Sequence, residues 1–249
     1  MPACFYILVP KPLVMKYLAG LLAIVSLMSS CGSPHQLSYG GNYSDPPITQ
    51  SLFADKAATI SEENIQKILD GNYSLPKQLR VALIKLEGTQ KRYYWNYWSD
   101  EAYLKTQQAY LDSFTAKLQQ SPRVIKITSI PDMLLSKAPA SFTTLRESAV
   151  RMQADVVVVY AINSDIYTKY RSFKRPDVKA FATTQLIIMD VRTGLVPFTT
   201  VVTRDFMGPQ NKTDIETDEA RNRVQNQAVL LTINEIGDQV TKFLSKELK

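Results

Sequence analysis

The chemistry open to this chain is bounded by two side-chain types that are nearly absent. Across 249 residues there are one histidine, His35, and two cysteines, Cys4 and Cys31. His35 sits in the stretch Gly32-Ser-Pro-His35, outside any apolar periodicity. A nucleophile–histidine–acid triad needs an imidazole base, and the usual zinc sites draw on Cys and His. Both are excluded on these counts. No thiol follows Cys31, so disulfides, thiol nucleophiles and thiolate ligands are excluded downstream of it. The GxxxxGK[ST] phosphate loop is missing, and Gly88 stands alone after an apolar run. Asp214, Glu216, Asp218 and Glu219 form a carboxylate cluster without the loop spacing of a calcium site. Favourable charge at a helix start accounts for them better. Carboxylate-based hydrolysis survives on composition, yet no pair of acids stands out. The expectation is a protein that is not an enzyme and uses no cofactor and no metal.

Two clusters suit binding instead. Arg92–Trp98, RYYWNYW, holds both tryptophans of the chain. Tyr93, Tyr94, Trp95, Tyr97 and Trp98 offer flat faces with hydroxyl or N–H groups, the chemistry of contact with a protein or glycan partner. The same cluster would also arise as an apolar patch beneath a long loop. The second cluster is Lys169–Lys174, KYRSFK, followed by Arg175. Lys169, Arg171, Lys174 and Arg175 interleaved with Tyr170 and Phe173 suit a basic hairpin tip that touches anionic lipid headgroups. A solvated hairpin end guarded by lysine reads equally well.

Cys31 has the clearest context. Lys16 gives a positive start, Leu18–Met28 is a short apolar core, Ser29 and Ser30 are small, and Cys31 follows. That order is a secretory signal peptide. Its apolar run is short for a bilayer span, and Gly32, Ser33 and Pro34 stop a helix. The ending resembles a bacterial lipobox, with Met28 where Leu is usual. The resemblance implies cleavage before Cys31 and acylation of its thiol, and several acyl chains on one residue anchor stably. Residues 1–14, with Pro2 and Pro10, make an awkward leader, and Met15 followed by Lys16 is the cleaner start. No acid stands directly after Cys31, so lipoprotein sorting, as the resemblance implies, favours the outer membrane and its periplasmic leaflet.

The elements that must position these groups follow from period and punctuation. Residues 1–30 read as the signal peptide and 31–59 as the lipidated cysteine with a Gly/Ser/Pro/Asn/Tyr-rich tether. Residues 60–249 read as one α/β domain. Removing residues 1–30, which hold Lys11 and Lys16 and no acid, leaves 219 residues with 27 bases and 23 acids. That mild excess argues against nucleic acid as a partner. Ser61 is placed to cap a short helix with Ile65, Ile68 and Leu69 on one face. Leu79–Leu86 is a strand, and Ser99 then caps a helix over Asp100–Gln120 with Tyr103, Tyr110, Leu111, Phe114 and Leu118 inward. Arg123–Ile130 is a second strand, and Phe142, Leu145, Ala149 and Met152 mark a second long helix. Val156–Val159 is a strand covered on both faces, continuing to Tyr167. Lys179–Asp190 and Leu195–Arg204 follow as strands about a turn in which Gly194 takes positive φ. A last helix over Asp214–Leu248 carries Val224, Ala228, Leu231, Ile236, Val240 and Phe243 as its stripe. The order is β-α-β-α-β-β-β-α, a mixed β-sheet with packed helices.

AVRMQADVVVVY at Ala149–Tyr160 and IIMDVRTGLV at Ile187–Val196, after the LRVALIKL strand and the lipobox ending, resemble the curli-secretion channel lipoprotein family. Its wider relatives carry an α/β domain similar to anticodon-binding and TolB N-terminal domains. The resemblance implies that fold over Leu79–Leu248 and allows a homo-oligomer. It also implies a functional loop after the first strand. In the channel each protomer adds two membrane hairpins, at points that fall here on Thr168–Val178 and Asp205–Thr213. Both segments are short, the first basic and the second polar. Membrane strands need about 9–11 residues with one apolar face. The leading expectation is therefore a non-catalytic binding or envelope-assembly module, and the second a channel subunit.

Overall fold

Val156–Val159 offers four consecutive β-branched residues with no polar position, and such a run is stable only with both faces covered. The computed structural model places it at the centre of a five-stranded sheet, with every residue of the run at most 3% exposed. The structure describes residues 51–53, 60–86, 97–135, 141–171, 174–214 and 217–245, with side chains except at 97–102, 132, 171 and 174. All of these lie in the unit Gly41–Lys249. The elements are α1 (Glu62–Leu69), β1 (Leu79–Lys85), α2 (Tyr97–Leu118), β2 (Val124–Ser129), α3 (Phe142–Arg151), β3 (Val156–Arg171), β4 (Lys174–Asp190), β5 (Phe198–Pro209) and α4 (Thr217–Ser245).

The sheet order is β2-β1-β3-β4-β5. β1 pairs parallel with β2 and β3, while β3–β4 and β4–β5 are antiparallel. Two crossover units followed by a meander is the expected topology, and the mixed α/β class stands. One face carries α2 and α4, which close over Leu83, Val158, Leu186 and Ile188 with Phe114 and Ile236. The other carries α3, whose Leu145 and Ala149 bury Ala82, Val157 and Met189. β1 reaches β3 only as far as the pair Lys85↔Tyr160. Beyond it β3, β4 and β5 continue as a ribbon with α4 on one face. The molecule is three layers deep at its centre and two along the ribbon.

Several expected details change. Ser61 stands at the N-cap of α1 without capping it, because its hydroxyl accepts from the Asn64 side-chain amide at 2.9 Å. The apolar face of α1 is not buried, with Leu69 72% exposed. Helix α2 begins at Tyr97, so Ser99 lies in its first turn rather than at its N-cap. Strand pairing runs past the expected ends at Tyr167 and Lys179, in register Thr168↔Val178 and Lys169↔Asp177. Most of Asp205–Thr213 belongs to β5. In α4 the expected stripe is buried at Val224, Ala228, Ile236 and Val240, but Leu231 is exposed and the inward face is wider, taking in Val229, Thr232 and Ile233. Other signals hold. Ser141 caps α3 by accepting from the Thr144 backbone N–H at 3.2 Å, and Gly194 has φ +74°. At the end of α3, Gln153 takes φ 58° while the N–H groups of Gln153 and Ala154 donate to Val150 and Ala149. This is a Schellman closure without glycine.

Candidate binding site

In open α/β sheets ligands settle beyond the carboxyl ends of parallel strands. Here the parallel pair β1/β3 ends at Lys85 and Tyr160, and a cleft of about 390 Å³ opens just past that point. Its floor is Ile162 and Ser164 of β3, and its walls are Tyr103, Thr106, Gln107 and Tyr110 of α2 and Glu219, Asn222, Arg223, Gln225, Asn226, Gln227 and Val229 of α4. The two helices cover the same sheet face, and among the described residues their facing sides and β3 define the cavity.

Polar side chains cross-link these walls. The Tyr110 hydroxyl, on an otherwise buried ring, donates to Asn226 Oδ1 at 2.7 Å. Asn226 Nδ2 lies 3.4 Å from Thr106 Oγ1. Gln225 donates to Ser164 Oγ at 2.6 Å where both are buried. At the mouth Lys85 Nζ donates to Gln107 Oε1 at 2.6 Å and lies 5.8 Å from the centroid of the Tyr103 ring. Arg223 donates to the Pro209 carbonyl and to Asp214, both at 2.9 Å. Asp214 is held below the ordinary carboxylate range by the Arg223 guanidinium and then by the Asn211 backbone N–H. Most lining side chains are uncharged and carry a hydroxyl or an amide, alongside Glu219 and Arg223.

The residues expected to bind are placed in part. Tyr93, Tyr94 and Trp95 lie outside the described residues, as does Cys31. Tyr97 and Trp98 form the first turn of α2, the helix that supplies Tyr103, Thr106 and Gln107 to the cleft. At the hairpin end Lys169, Tyr170 and Arg175 are exposed, and Arg171 pairs with Lys174 across the strands. Asp177 opposite Lys169 tempers the positive charge there. The acidic cluster serves α4: Asp218 and Glu219 sit in its first turn. Among the described residues no group of three His, Cys, Asp or Glu side chains could hold a metal. Sequence reasoning missed the cleft itself. Its signal was Asn222, Gln225 and Asn226, amides recurring at helical spacing beside the apolar stripe of α4.

No protein-family model matches this chain, and no curated protein matches it in sequence. Solved structures resemble it at low identity. The hypothetical protein CT253 from Chlamydia trachomatis is 14% identical, with 67% of this chain and 98% of that chain covered, at a TM-score of 0.40. The PelC dodecamer from Paraburkholderia phytofirmans is 13% identical, with 66% and 90% covered and a TM-score of 0.33. Lipoprotein GNA1162 from Neisseria meningitidis is 9% identical, with 66% and 99% covered and a TM-score of 0.37. At such scores these likenesses carry no functional argument, which rests on the residues of this chain.

Proposed function

We propose that this protein is an envelope lipoprotein, acylated at Cys31 and held at the outer membrane facing the periplasm. Its α/β domain acts there as a non-catalytic binding or envelope-assembly module. One observation carries the anchoring: a short apolar core from Leu18 to Met28 ends on two small residues and then Cys31. No described helix is long and apolar enough to cross a membrane. The binding role is supported by the cleft between α2 and α4 and by the aromatic segment that leads into α2. Radiolabelled palmitate fed to expressing cells should label the wild-type chain and the Cys4→Ala variant and leave Cys31→Ala unlabelled. Label retained by Cys31→Ala defeats the anchor.

A second reading, a curli-type secretion-channel subunit, draws support from the length of β3 and β4, 16 and 17 residues. That length suffices for membrane strands.

A further inference from the structure

We propose that the cleft between α2 and α4 binds an uncharged, hydroxyl-rich saccharide. The inference rests on the reading of this domain as a binding module and names its ligand class. Most of the donors and acceptors in the lining are neutral, among them the amides of Gln107, Asn222 and Asn226 and the hydroxyls of Thr106, Tyr103 and Tyr110. A primary amide presents a donor and an acceptor side by side, which matches the adjacent hydroxyls of a sugar ring. Among the described residues three charged side chains stand at the cleft: Glu219 and Arg223 in its walls and Lys85 beside Gln107, and the Glu219 carboxylate disfavours an anion. Arg223 is taken by Asp214 and the Pro209 carbonyl, and Lys85 by Gln107. An anionic ligand would have to break those contacts. Among the described residues the apolar surface of the cleft comes from Ile162 of the floor, Val229 of the α4 wall and the rings of Tyr103 and Tyr110, a mixed lining that suits a ring with one apolar face and polar edges. The half-buried Tyr103 ring at the rim suits the apolar face of a sugar. The volume lies within the range of small-molecule sites, about 300–1,000 Å³.

Pre-formed geometry strengthens the case. Tyr110 fixes Asn226 through a 2.7 Å bond, so that amide is oriented before ligand arrives and less entropy is lost on binding. A site built from fixed polar groups rejects analogues that cannot pair with them.

The test uses the full-length acylated protein in a detergent without a sugar headgroup. Saturation-transfer NMR is run with N,N′-diacetylchitobiose, cellobiose and maltose, and with glucuronic acid as the charged control. At least one neutral saccharide should bind, and glucuronic acid should not. Asn222→Ala/Asn226→Ala should weaken that binding at least about tenfold. Tyr110→Phe, which keeps the buried ring and removes the hydroxyl, should weaken it with little change in melting temperature. Three results overturn the proposal: no transfer from any of the three to folded protein, binding indifferent to both variants, or equal binding of glucuronic acid. Capture of an envelope protein that Asn222→Ala/Asn226→Ala abolishes, without saccharide binding, also overturns it while leaving the binding module intact. Loss of both kinds of binding would remove the module reading as well, independently of palmitate labelling at Cys31.

Discussion

Asp155 is a carboxylate 4% exposed in the turn between α3 and β3. The left-handed Gln153 delivers it to the base of β1. There its Oδ2 accepts from the Arg80 backbone N–H at 2.9 Å and from Arg80 Nε at 3.0 Å, while Oδ1 accepts from Arg80 Nη2 at 3.0 Å and Arg192 Nη2 at 2.6 Å. One side chain thus ties the central strand to β1 and to the β4–β5 turn. The same turn is closed by Asp190, whose Oδ1 accepts from the N–H and hydroxyl of Thr193. Arg80, by its side-chain bonds above all, holds the Asp155 carboxyl at about 2, below an ordinary 3.8. A carboxyl lowered in the folded state stabilises fully above its unfolded pKa, and that stability is lost as pH falls through the folded one. The window is therefore roughly pH 4 to 2. Asp155→Asn should cost about 2 kcal/mol at pH 7. It should also flatten the stability loss on acidification, read by urea unfolding at pH 7 and pH 3. Equal losses at both pH values would refute the charge-based account. The Asp was visible in the sequence before the valine run. Its two arginine partners, 75 and 37 positions away, were not, because nothing local reports pairing across strands.

Helices α2 and α4 pack tightly at Gly237. A Cβ built there would lie 2.5 Å from Lys117 Cγ and 2.7 Å from Lys117 Cβ, so a methyl group cannot enter without separating the helices. Around it Lys117 Nζ meets Asp238 at 2.6 Å and the Thr241 hydroxyl donates to the Lys117 carbonyl at 3.0 Å. Gly237→Ala brings opposed effects. Alanine gains about 1 kcal/mol of helix propensity, and overpacking costs about 1–3 kcal/mol. The stem of Lys117, not its flexible end, is in the way, so the steric cost wins. Gly237→Ala should lower the melting temperature by a few degrees, whereas Gly208→Ala, with neighbours no nearer than 3.7 Å, tests glycine loss without a clash. An unchanged or higher melting temperature for Gly237→Ala would show that the helices yield there. At this scale the order of elements was legible from period and turn residues alone, since burial imposes those patterns directly. The full width of the buried face of α4 was not. Thr232 and Gln225 are polar yet buried, held by Thr184 at 2.5 Å and Ser164 at 2.6 Å, and a hydrophobicity pattern assigns such positions outward. The apolar side of α1 misled in the opposite sense, since it lies on the surface. The cleft was illegible for a related reason: it is made by two helices more than 100 residues apart whose polar residues look, in sequence, like a solvated face.

The ribbon of β3, β4 and β5 bears on the choice between a binding module and a membrane channel. A membrane strand alternates a lipid-facing apolar side with a polar interior. In the ribbon the apolar side is already occupied: Ile162, Val178, Ala180 and Ala182 are buried in the same core as Ala220, Val224 and Val229 of α4. The opposite side carries exposed Asn163, Asp165 and Lys169, a Lys179–Asp205 ion pair at 3.0 Å and a Thr183–Thr203 hydroxyl pair at 2.9 Å. Tyr167 and Phe181 meet edge-on there at 5.7 Å, amid those charges. Insertion would require peeling α4 from the sheet and placing charged groups in hydrocarbon, at about 2–4 kcal/mol for each basic residue near the midplane. Unpaired strand edges would add several kcal/mol for each unsatisfied backbone group. The second hairpin of such a channel would have to arise between β5 and α4, where Pro209 and Thr217 leave seven intervening residues, fewer than one membrane strand needs. Purified protein added to planar bilayers should therefore give no ion conductance, at concentrations where palmitate-dependent membrane attachment is complete. Reproducible single-channel steps from a homogeneous preparation would mean that α4 releases the ribbon, and the channel reading would then replace the binding module.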